Sequence, residues 1–291
     1  MSQLTTELPH DGAGSPNPAP LWTAPAPRSS PWTRRPPVIL VIPATIGAAL
    51  FVLPLLGLLV KAPWEQIGTL LAAPEARDAL WLSLVCSLSA TILCVLLGVP
   101  LAWVQQRTTL PGRSVLRAIT TLPVVLPPVA GGVALLYAFG GRGLFGWLFN
   151  RDTGIQLAFT TTGVIIAETF VAMPFMVLSM SGALQSVDHR IEEAARTFGA
   201  SRWTVFWRVT LPLVRPSLIA GTVLSWARAL GEFGATITFA GNFPGRTQTM
   251  PLAVYVALES NSDAAVALSL VLVAVSLTIL ISLRRQWFGQ L

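Results

Sequence analysis

The chain has 291 residues, of which 53% are hydrophobic and only 11% are charged, and its formal net charge is +6. Soluble domains carry about 25% charged residues, so this composition excludes an ordinary soluble protein and indicates one that lies in membrane lipid. Lys61 is the single lysine, and the other basic residues are arginines. In a membrane protein such an excess is more typical of cytoplasmic loops than of nucleic-acid binding, so no nucleic-acid partner is expected.

The first 37 residues differ from the rest of the chain. Nine of them are proline, mixed with Ser, Thr, Ala and Gly, which predicts a disordered tail over residues 1–37. The apolar run that follows is about 23 residues long, which is too long for the core of a signal peptide. We therefore expect an uncleaved first span, a membrane domain over residues 38–284 and a short tail over residues 285–291.

Six apolar runs can each cross a hydrocarbon core about 30 Å thick, which takes roughly 20 helical residues. The runs are continuous rather than alternating, which favours helices over the strands of a barrel and predicts an all-α membrane protein. Prolines inside the runs, among them Pro127 and Pro128, predict kinks or local breaks. The predicted spans are about Val38–Val60, Leu80–Val104, Ala118–Phe139, Thr161–Leu184, Leu213–Ala240 and Ala264–Leu283.

The basic residues predict the orientation of these spans. With the N-terminus inside, 13 of them fall in cytoplasmic segments and 5 fall outside, while Arg228 lies within a span. Because cytoplasmic loops are enriched in Lys and Arg, both termini are predicted to be cytoplasmic in a plasma (inner) membrane. The same orientation places residues 188–212 in the cytoplasm.

Residues 188–212 form a well-charged segment between two apolar runs. Gly199 predicts the end of a first helix, because glycine adopts the left-handed cap conformation at little cost, and Ser201 can cap a second helix. Each helix has an apolar face, so the segment predicts an element that docks onto another protein. The apolar positions are Ile191, Ala194, Ala195 and Phe198 in the first helix and Trp203, Phe206 and Trp207 in the second.

Three charged residues lie well away from the ends of the predicted spans. Arg228 and Glu232 are four residues apart and therefore share one helical face. Charges in a membrane are costly, so these two either form a structural ion pair or place Arg228 along a water-filled path that favours an anion. Glu168 is either a buried hydrogen-bonding group or a ligand for a substrate or a proton.

Enzyme chemistry finds little support in the sequence. The string that comes nearest to a P-loop, Gly241 to Thr247, has three residues between its glycines instead of four and Arg246 in place of lysine. Cys86 and Cys94 lie roughly 12 Å apart on one helix, so they cannot form a disulfide with each other. No metal-ligand cluster and no pairing of a nucleophile with a base is visible, so we expect no metal, no cofactor and no catalytic residue.

Part of the segment 188–212 resembles a known sequence signature. Glu193-Ala194-Ala195, followed by Gly199, Val209 and Leu211-Pro212, resembles the EAA motif of ABC importer permeases, which usually has Ile where this chain has Val209. The resemblance implies a type I importer permease with six spans, whose cytoplasmic coupling helices, here about 188–208, dock into separate ABC ATPase subunits. The residues implied to couple the chain to the ATPase are Glu193, Ala194, Ala195, Gly199, Leu211 and Pro212.

A second run narrows the resemblance. The residues from Arg228 to Asn242, with Thr247–Pro251 and Tyr255 downstream, resemble molybdate permeases. This implies a homodimer that moves molybdate or tungstate by alternating access, supplied by an extracytoplasmic oxyanion-binding protein. Sulfate/thiosulfate permeases share the beginning of the run and are the alternative within the class. Two alternatives lie outside the class of ABC permeases. One is a secondary transporter that would use Glu168, Arg228 and Glu232 as an ion relay. The other is a membrane scaffold that transports nothing.

Overall fold

The structure is a computed structural model that describes residues 38–109, 111–146 and 156–287. The predicted disordered tail, residues 1–37, lies outside the described residues. The chain divides into two compact units, residues 1–54 and 55–291. The described part of the first unit belongs to helix α1 (Val38–Val60), an apolar helix that contains Pro43 and Pro54.

The second unit, as far as it is described, is built from helices. They are α2 (Ile67–Ala72), α3 (Pro74–Arg107), α4 (Arg113–Val125), α5 (Pro128–Phe139), α6 (Thr161–Ser186), α7 (His189–Thr197), α8 (Arg202–Val205), α9 (Leu211–Leu230), α10 (Gly234–Phe239), α11 (Met250–Ser260) and α12 (Ser262–Trp287). A π-helical segment, Phe206–Thr210, joins α8 to α9. Five described helices are long and apolar enough to cross a membrane: α1, α3, α6, the continuous helix Arg202–Leu230, and α12.

Two predicted spans differ from the observed helices. The third is divided into α4 and α5 at Leu126 and Pro127, which confirms the predicted proline break, since Pro127 has no N–H to continue the helical bonding. The fifth was expected to run to Ala240, which is wrong, because α9 ends at Leu230 and α10 starts at Gly234. Helix α11, with 11 residues, is too short for a span and was not predicted.

The boundary of the C-terminal tail also differs from the prediction. Helix α12 continues to Trp287, so residues 285–287 of the predicted tail 285–291 are helical. The residues after 287 lie outside the described part of the chain. The boundary expected at residue 284 therefore falls inside a helix.

The main core lies where α3, α6 and α9 meet. Its buried members include Ala90 and Cys94 of α3, Met176 and Met180 of α6, and Val214 of α9. Small residues on α3 allow the helix backbones to approach closely, which is how helices associate where lipid supplies no hydrophobic driving force. Cys94, like Cys86, is a buried free thiol, in agreement with the prediction that the two do not pair.

Two serine hydroxyl groups of α3 accept hydrogen bonds from α9 and α11. Trp226 Nε1 on α9 donates to Ser87 Oγ at 3.0 Å. The backbone N–H of Met250, at the start of α11, donates to Ser83 Oγ at 2.7 Å. A polar group buried away from water is costly unless it is bonded, so these bonds determine how α9 and α11 are placed against α3.

The short helix α10 is buried between α5 and α6. Ala235 and Phe239 of α10 form a cluster with Leu135 of α5 and Val171 of α6. Gly132 of α5 permits this contact, because a Cβ atom at that position would lie 2.7 Å from the backbone oxygen of Ala235. The segment after α9 thus folds back into the protein instead of continuing as a span.

A methyl group at Gly132 should therefore destabilise the protein. We expect Gly132→Ala to lower the free energy of unfolding by about 1–3 kcal/mol, the usual cost of overpacking, because the atoms it meets include backbone. Gly182→Ala in α6 is the matched control, since a Cβ there has no neighbour within 4 Å and alanine favours helix. Detergent-titrated unfolding of the full chain measures both, and equal stability of the two variants would contradict the packing described for α10.

Candidate functional site

Helix α7 is capped at both ends, and its end at Gly199 is the predicted one. The Asp188 side chain accepts a bond from the backbone N–H of Arg190 at 2.9 Å, which caps the start of the helix. At the other end Gly199 has φ of 85°, and its N–H donates to the Arg196 oxygen at 2.9 Å. The left-handed glycine cap is therefore confirmed, and it turns the chain towards the next helix.

The second helix is longer than expected. Ser201 caps it as predicted, accepting from the Thr204 N–H at 3.1 Å. Instead of a separate short helix, the chain then runs through the π-helical segment into α9. Pro212, which has no N–H to donate, lies in the first turn of α9 directly after the π turn. The predicted docking element and the following span are thus parts of one helix, Arg202–Leu230.

This part of the chain exposes large apolar side chains. Phe198 is 91% exposed, and Ile191, Trp203 and Trp207 are exposed as well. The rings of Trp203 and Trp207 lie 5.5 Å apart, which confirms that the aromatic residues of the second helix share a face. We call the exposed residues Ile191, Glu193, Phe198, Trp203 and Trp207 the docking surface. Apolar groups gathered on a charged segment are typical of a protein contact.

The six residues of the predicted coupling motif fall in two places. Glu193 and Ala194 are exposed and Ala195 is half-buried on α7, with Gly199 exposed at the turn. Leu211 and Pro212 begin α9, where Leu211 is half-buried and Pro212 exposed. The first group lies on or beside the docking surface, whereas the second lies where the segment joins the membrane-spanning helix.

A neighbouring residue, Glu192, holds the segment to the rest of the protein. Its Oε1 lies 3.1 Å from Arg107 Nη2 at the end of α3, and Thr210 Oγ1 donates to the same oxygen at 2.7 Å. Arg107 Nη1 also lies 3.0 Å from His189 Nε2. The Arg107 and Glu192 side chains are only 8% and 14% exposed. We call Arg107, Glu192 and Thr210 the Glu192 anchor.

Sequence reasoning missed this anchor. Nothing in the sequence distinguishes Glu192 from the adjacent Glu193. Arg107, the partner of Glu192, is 85 residues away in the chain. Only the packing of α3 against this segment shows that Glu192 is held by Arg107 whereas Glu193 stays exposed.

The intramembrane pair lies at the break between α9 and α10. Arg228 Nη2 is 2.5 Å from Glu232 Oε2, so the predicted ion pair is present. The other oxygen of Glu232 accepts from the backbone N–H of Ala235 at 2.7 Å, at the start of α10. The Glu232 side chain is 1% exposed and that of Arg228 is 27% exposed. The pair thus combines a buried carboxylate that shapes the break with a cation that remains accessible.

Glu168, the third charged residue, is not bonded to this pair. It is buried on α6, and its Oε2 has no hydrogen-bond partner among the described residues. Within the same part of the chain, Glu232 is the ion-pair partner of Arg228 and Glu168 forms no ion pair. Glu168 is buried as expected, but its Oε2 lacks the expected hydrogen bond within the described part of the chain, and whether it acts on a substrate stays a prediction.

Comparisons with known proteins agree with one another. Residues 95–290 match the family described as binding-protein-dependent transport system inner membrane component. The molybdenum transport system permease protein ModB of Mycobacterium tuberculosis is 46% identical over 227 residues, covering 77% of this chain and 85% of that protein. ModB of Escherichia coli K12 is 41% identical over 221 residues, covering 74% and 95%.

Two further matches extend the comparison. The sulfate transport system permease protein CysT of E. coli K12 is 36% identical over 202 residues, covering 69% of this chain and 72% of that protein. Among solved structures, a chain of a bacterial ABC transporter involved in the import of the acidic polysaccharide alginate aligns with a TM-score of 0.68. Its sequence identity is 19%, and the alignment covers 85% of this chain and 93% of that one, so the likeness concerns the fold.

Proposed function

This chain belongs to the family of binding-protein-dependent transport system inner membrane components, and we propose that the cargo it conducts is molybdate. The prediction of an ABC importer permease, a multi-pass membrane protein and not itself an enzyme, is confirmed by that membership. The type I importer fold is likewise confirmed.

The proposed cargo rests on the order of sequence identities to relatives. Within one organism, E. coli, the molybdenum permease is 41% identical to this chain and the sulfate permease 36%. The run from Arg228 to Asn242 points the same way. Molybdate is a tetrahedral dianion, and the accessible guanidinium of Arg228 supplies a positive charge where a helix is interrupted. Tungstate has the same charge and shape, so we expect it to be carried as well.

The docking surface is the proposed contact with the ABC ATPase subunits. Its apolar side chains, Phe198 above all, are exposed in the single chain and would be covered by a groove in a partner. Because α8, the π-helical segment and α9 form one helix, a displacement of the docking surface is passed directly to the helix that carries Arg228. Glu193, Ala194, Ala195 and Gly199 are the proposed contact residues, and Leu211 and Pro212 the junction.

A second copy of the chain is proposed to complete the path. Arg228 is 27% exposed in the single chain, yet a charged side chain in a membrane must face protein or water. Two copies related by a two-fold axis would cover this exposed side of the pair and enclose a path between them. The proposed orientation keeps both termini and the docking surface in the cytoplasm and leaves the opposite face to an oxyanion-binding protein.

Reconstituted vesicles provide the test. The permease, its ABC ATPase and its binding protein should accumulate molybdate only when ATP is supplied on the ATPase side. Unlabelled tungstate should compete with molybdate at similar concentrations, whereas sulfate should require a large excess. A complex that prefers sulfate would identify the sulfate importer instead.

The same vesicles separate the remaining alternatives. Uptake driven by an ion gradient without ATP would support the secondary transporter that uses Glu168, Arg228 and Glu232 as a relay. Absence of uptake under every condition, with all three components bound to one another, would support the scaffold. Each result differs from the ATP-dependent accumulation that we expect.

A further inference from the structure

A polar cavity adjoins the docking surface, with which it shares Glu193. It has a volume of about 300 Å³ and opens between the end of α3, the start of α4 and helix α7. Four arginines line it, namely Arg107, Arg113, Arg196 and Arg202, together with His189, Glu192 and Glu193. With histidine neutral, the lining carries four positive and two negative charges, which leaves an excess of two positive charges.

The excess belongs to Arg113, Arg196 and Arg202, which face only one further carboxylate in the lining, that of Glu193. Glu192 is engaged by Arg107 and Thr210 in the Glu192 anchor. Arg113 Nη2 donates to Gln106 Oε1 at 3.1 Å, so Arg113 is held by a neutral partner. The cavity therefore offers guanidinium groups whose charge the surrounding carboxylates compensate only in part.

Two buried donors in the cavity wall have no partner. Arg107 Nε and Gln106 Nε2 are both shielded from solvent, and neither is hydrogen-bonded to anything in the described part of the chain. The Arg107 side chain is more than nine-tenths buried. Gln106 uses its oxygen for Arg113, which leaves the amide nitrogen as a donor. A buried donor without a partner is costly, so an acceptor that reached either nitrogen would stabilise the wall of the cavity.

We propose that this cavity binds a small tetrahedral oxyanion. The excess of two positive charges matches a dianion, and oxygen atoms on a tetrahedron can accept bonds from several directions at once. Arg113, Arg196 and Arg202 surround the site with charge, and Arg107 and Gln106 in its wall each carry a buried donor without a partner. A bound anion would connect α3, α4 and α7, the three elements that meet at the base of the docking surface.

This site is separate from the intramembrane pair. Arg228 lies 17 residues after Leu211 on a continuous helix, a distance of about 26 Å along its axis. The inference rests on the proposed function only in placing the cavity on the cytoplasmic side. The ligand chemistry fits two sources, the transported oxyanion after release and inorganic phosphate.

Equilibrium dialysis of radiolabelled sulfate against the purified full chain, without its ATPase, tests the proposal. We expect Arg196→Glu to weaken binding at least about tenfold, because the reversal places a negative charge at the cavity. The control is Arg190→Glu, on the same helix with the same change in charge but outside the cavity lining, and it should alter binding less than about twofold. Gln106→Leu, which removes a buried donor without changing the charge, should weaken binding about fivefold.

Competition by molybdate and by phosphate then distinguishes the two sources. Displacement of the label by both identifies a general site for tetrahedral dianions, and displacement by molybdate alone identifies a site for the transported class. The proposal is overturned if the unchanged protein binds no sulfate, if Arg190→Glu and Arg196→Glu weaken binding equally, or if Arg196→Glu has no effect. Because no ATP hydrolysis or uptake is measured, failure of the proposed transport function would leave this result intact.

Discussion

Replacing Arg228 with glutamine is expected to abolish molybdate uptake and to lower the free energy of unfolding by about 3 kcal/mol. Removing one partner of a buried ion pair costs about 3–5 kcal/mol, because the remaining charge is left uncompensated. Glu232 is 1% exposed, whereas Arg228 is partly accessible, which places the cost at the lower end of that range. Vesicle uptake and detergent-titrated unfolding of the same variant measure the two effects.

A second substitution separates the two roles of Arg228. In Arg228→Gln/Glu232→Gln the buried negative charge is gone, and the amide oxygen can still accept from the Ala235 N–H. We expect this double variant to regain most of the lost stability but not the uptake, since the positive charge proposed to attract the anion is still missing. Recovery of both properties would show that the pair is purely structural. Full uptake by the single variant would remove Arg228 from the proposed path.

Substitutions of the adjacent residues Glu192 and Glu193 should affect different properties of the protein. Glu192→Ala is expected to lower the free energy of unfolding by about 3 kcal/mol, because it leaves Arg107 largely buried and without its carboxylate. Glu193→Ala should change it by less than about 0.5 kcal/mol, since that side chain is exposed. It should nevertheless weaken association with the ABC ATPase, because Glu193 belongs to the docking surface.

The measurements for this pair are unfolding of the permease alone and co-purification of the ATPase with each variant. Each variant is the control of the other, since both lose one carboxylate at neighbouring positions of α7. Equal losses of stability would contradict the role of Glu192 in the Glu192 anchor. Unchanged ATPase binding by Glu193→Ala would remove Glu193 from the proposed contact.

The membrane class and most of the helices could be predicted because they depend on local composition. A run such as Val38–Val60 or Thr161–Leu184 is apolar over enough residues that its backbone must pair internally, whatever surrounds it. Proline and glycine act locally as well, so the break before Pro128 and the cap at Gly199 were predicted correctly. The fifth span was overestimated because apolar residues continue past Leu230, and an apolar run looks the same whether it faces lipid or protein.

The sequence by itself determined that this chain is a helical membrane protein with a charged, amphipathic segment between spans, and its Glu193–Pro212 signature identified the segment. Those features are periodic or contiguous in the chain. The tertiary structure alone decided which glutamate anchors the segment, that α10 folds back against Gly132, and that Arg107 and Gln106 meet Arg196 around a basic cavity. These contacts join residues tens of positions apart, and their energies depend on burial that no local pattern records.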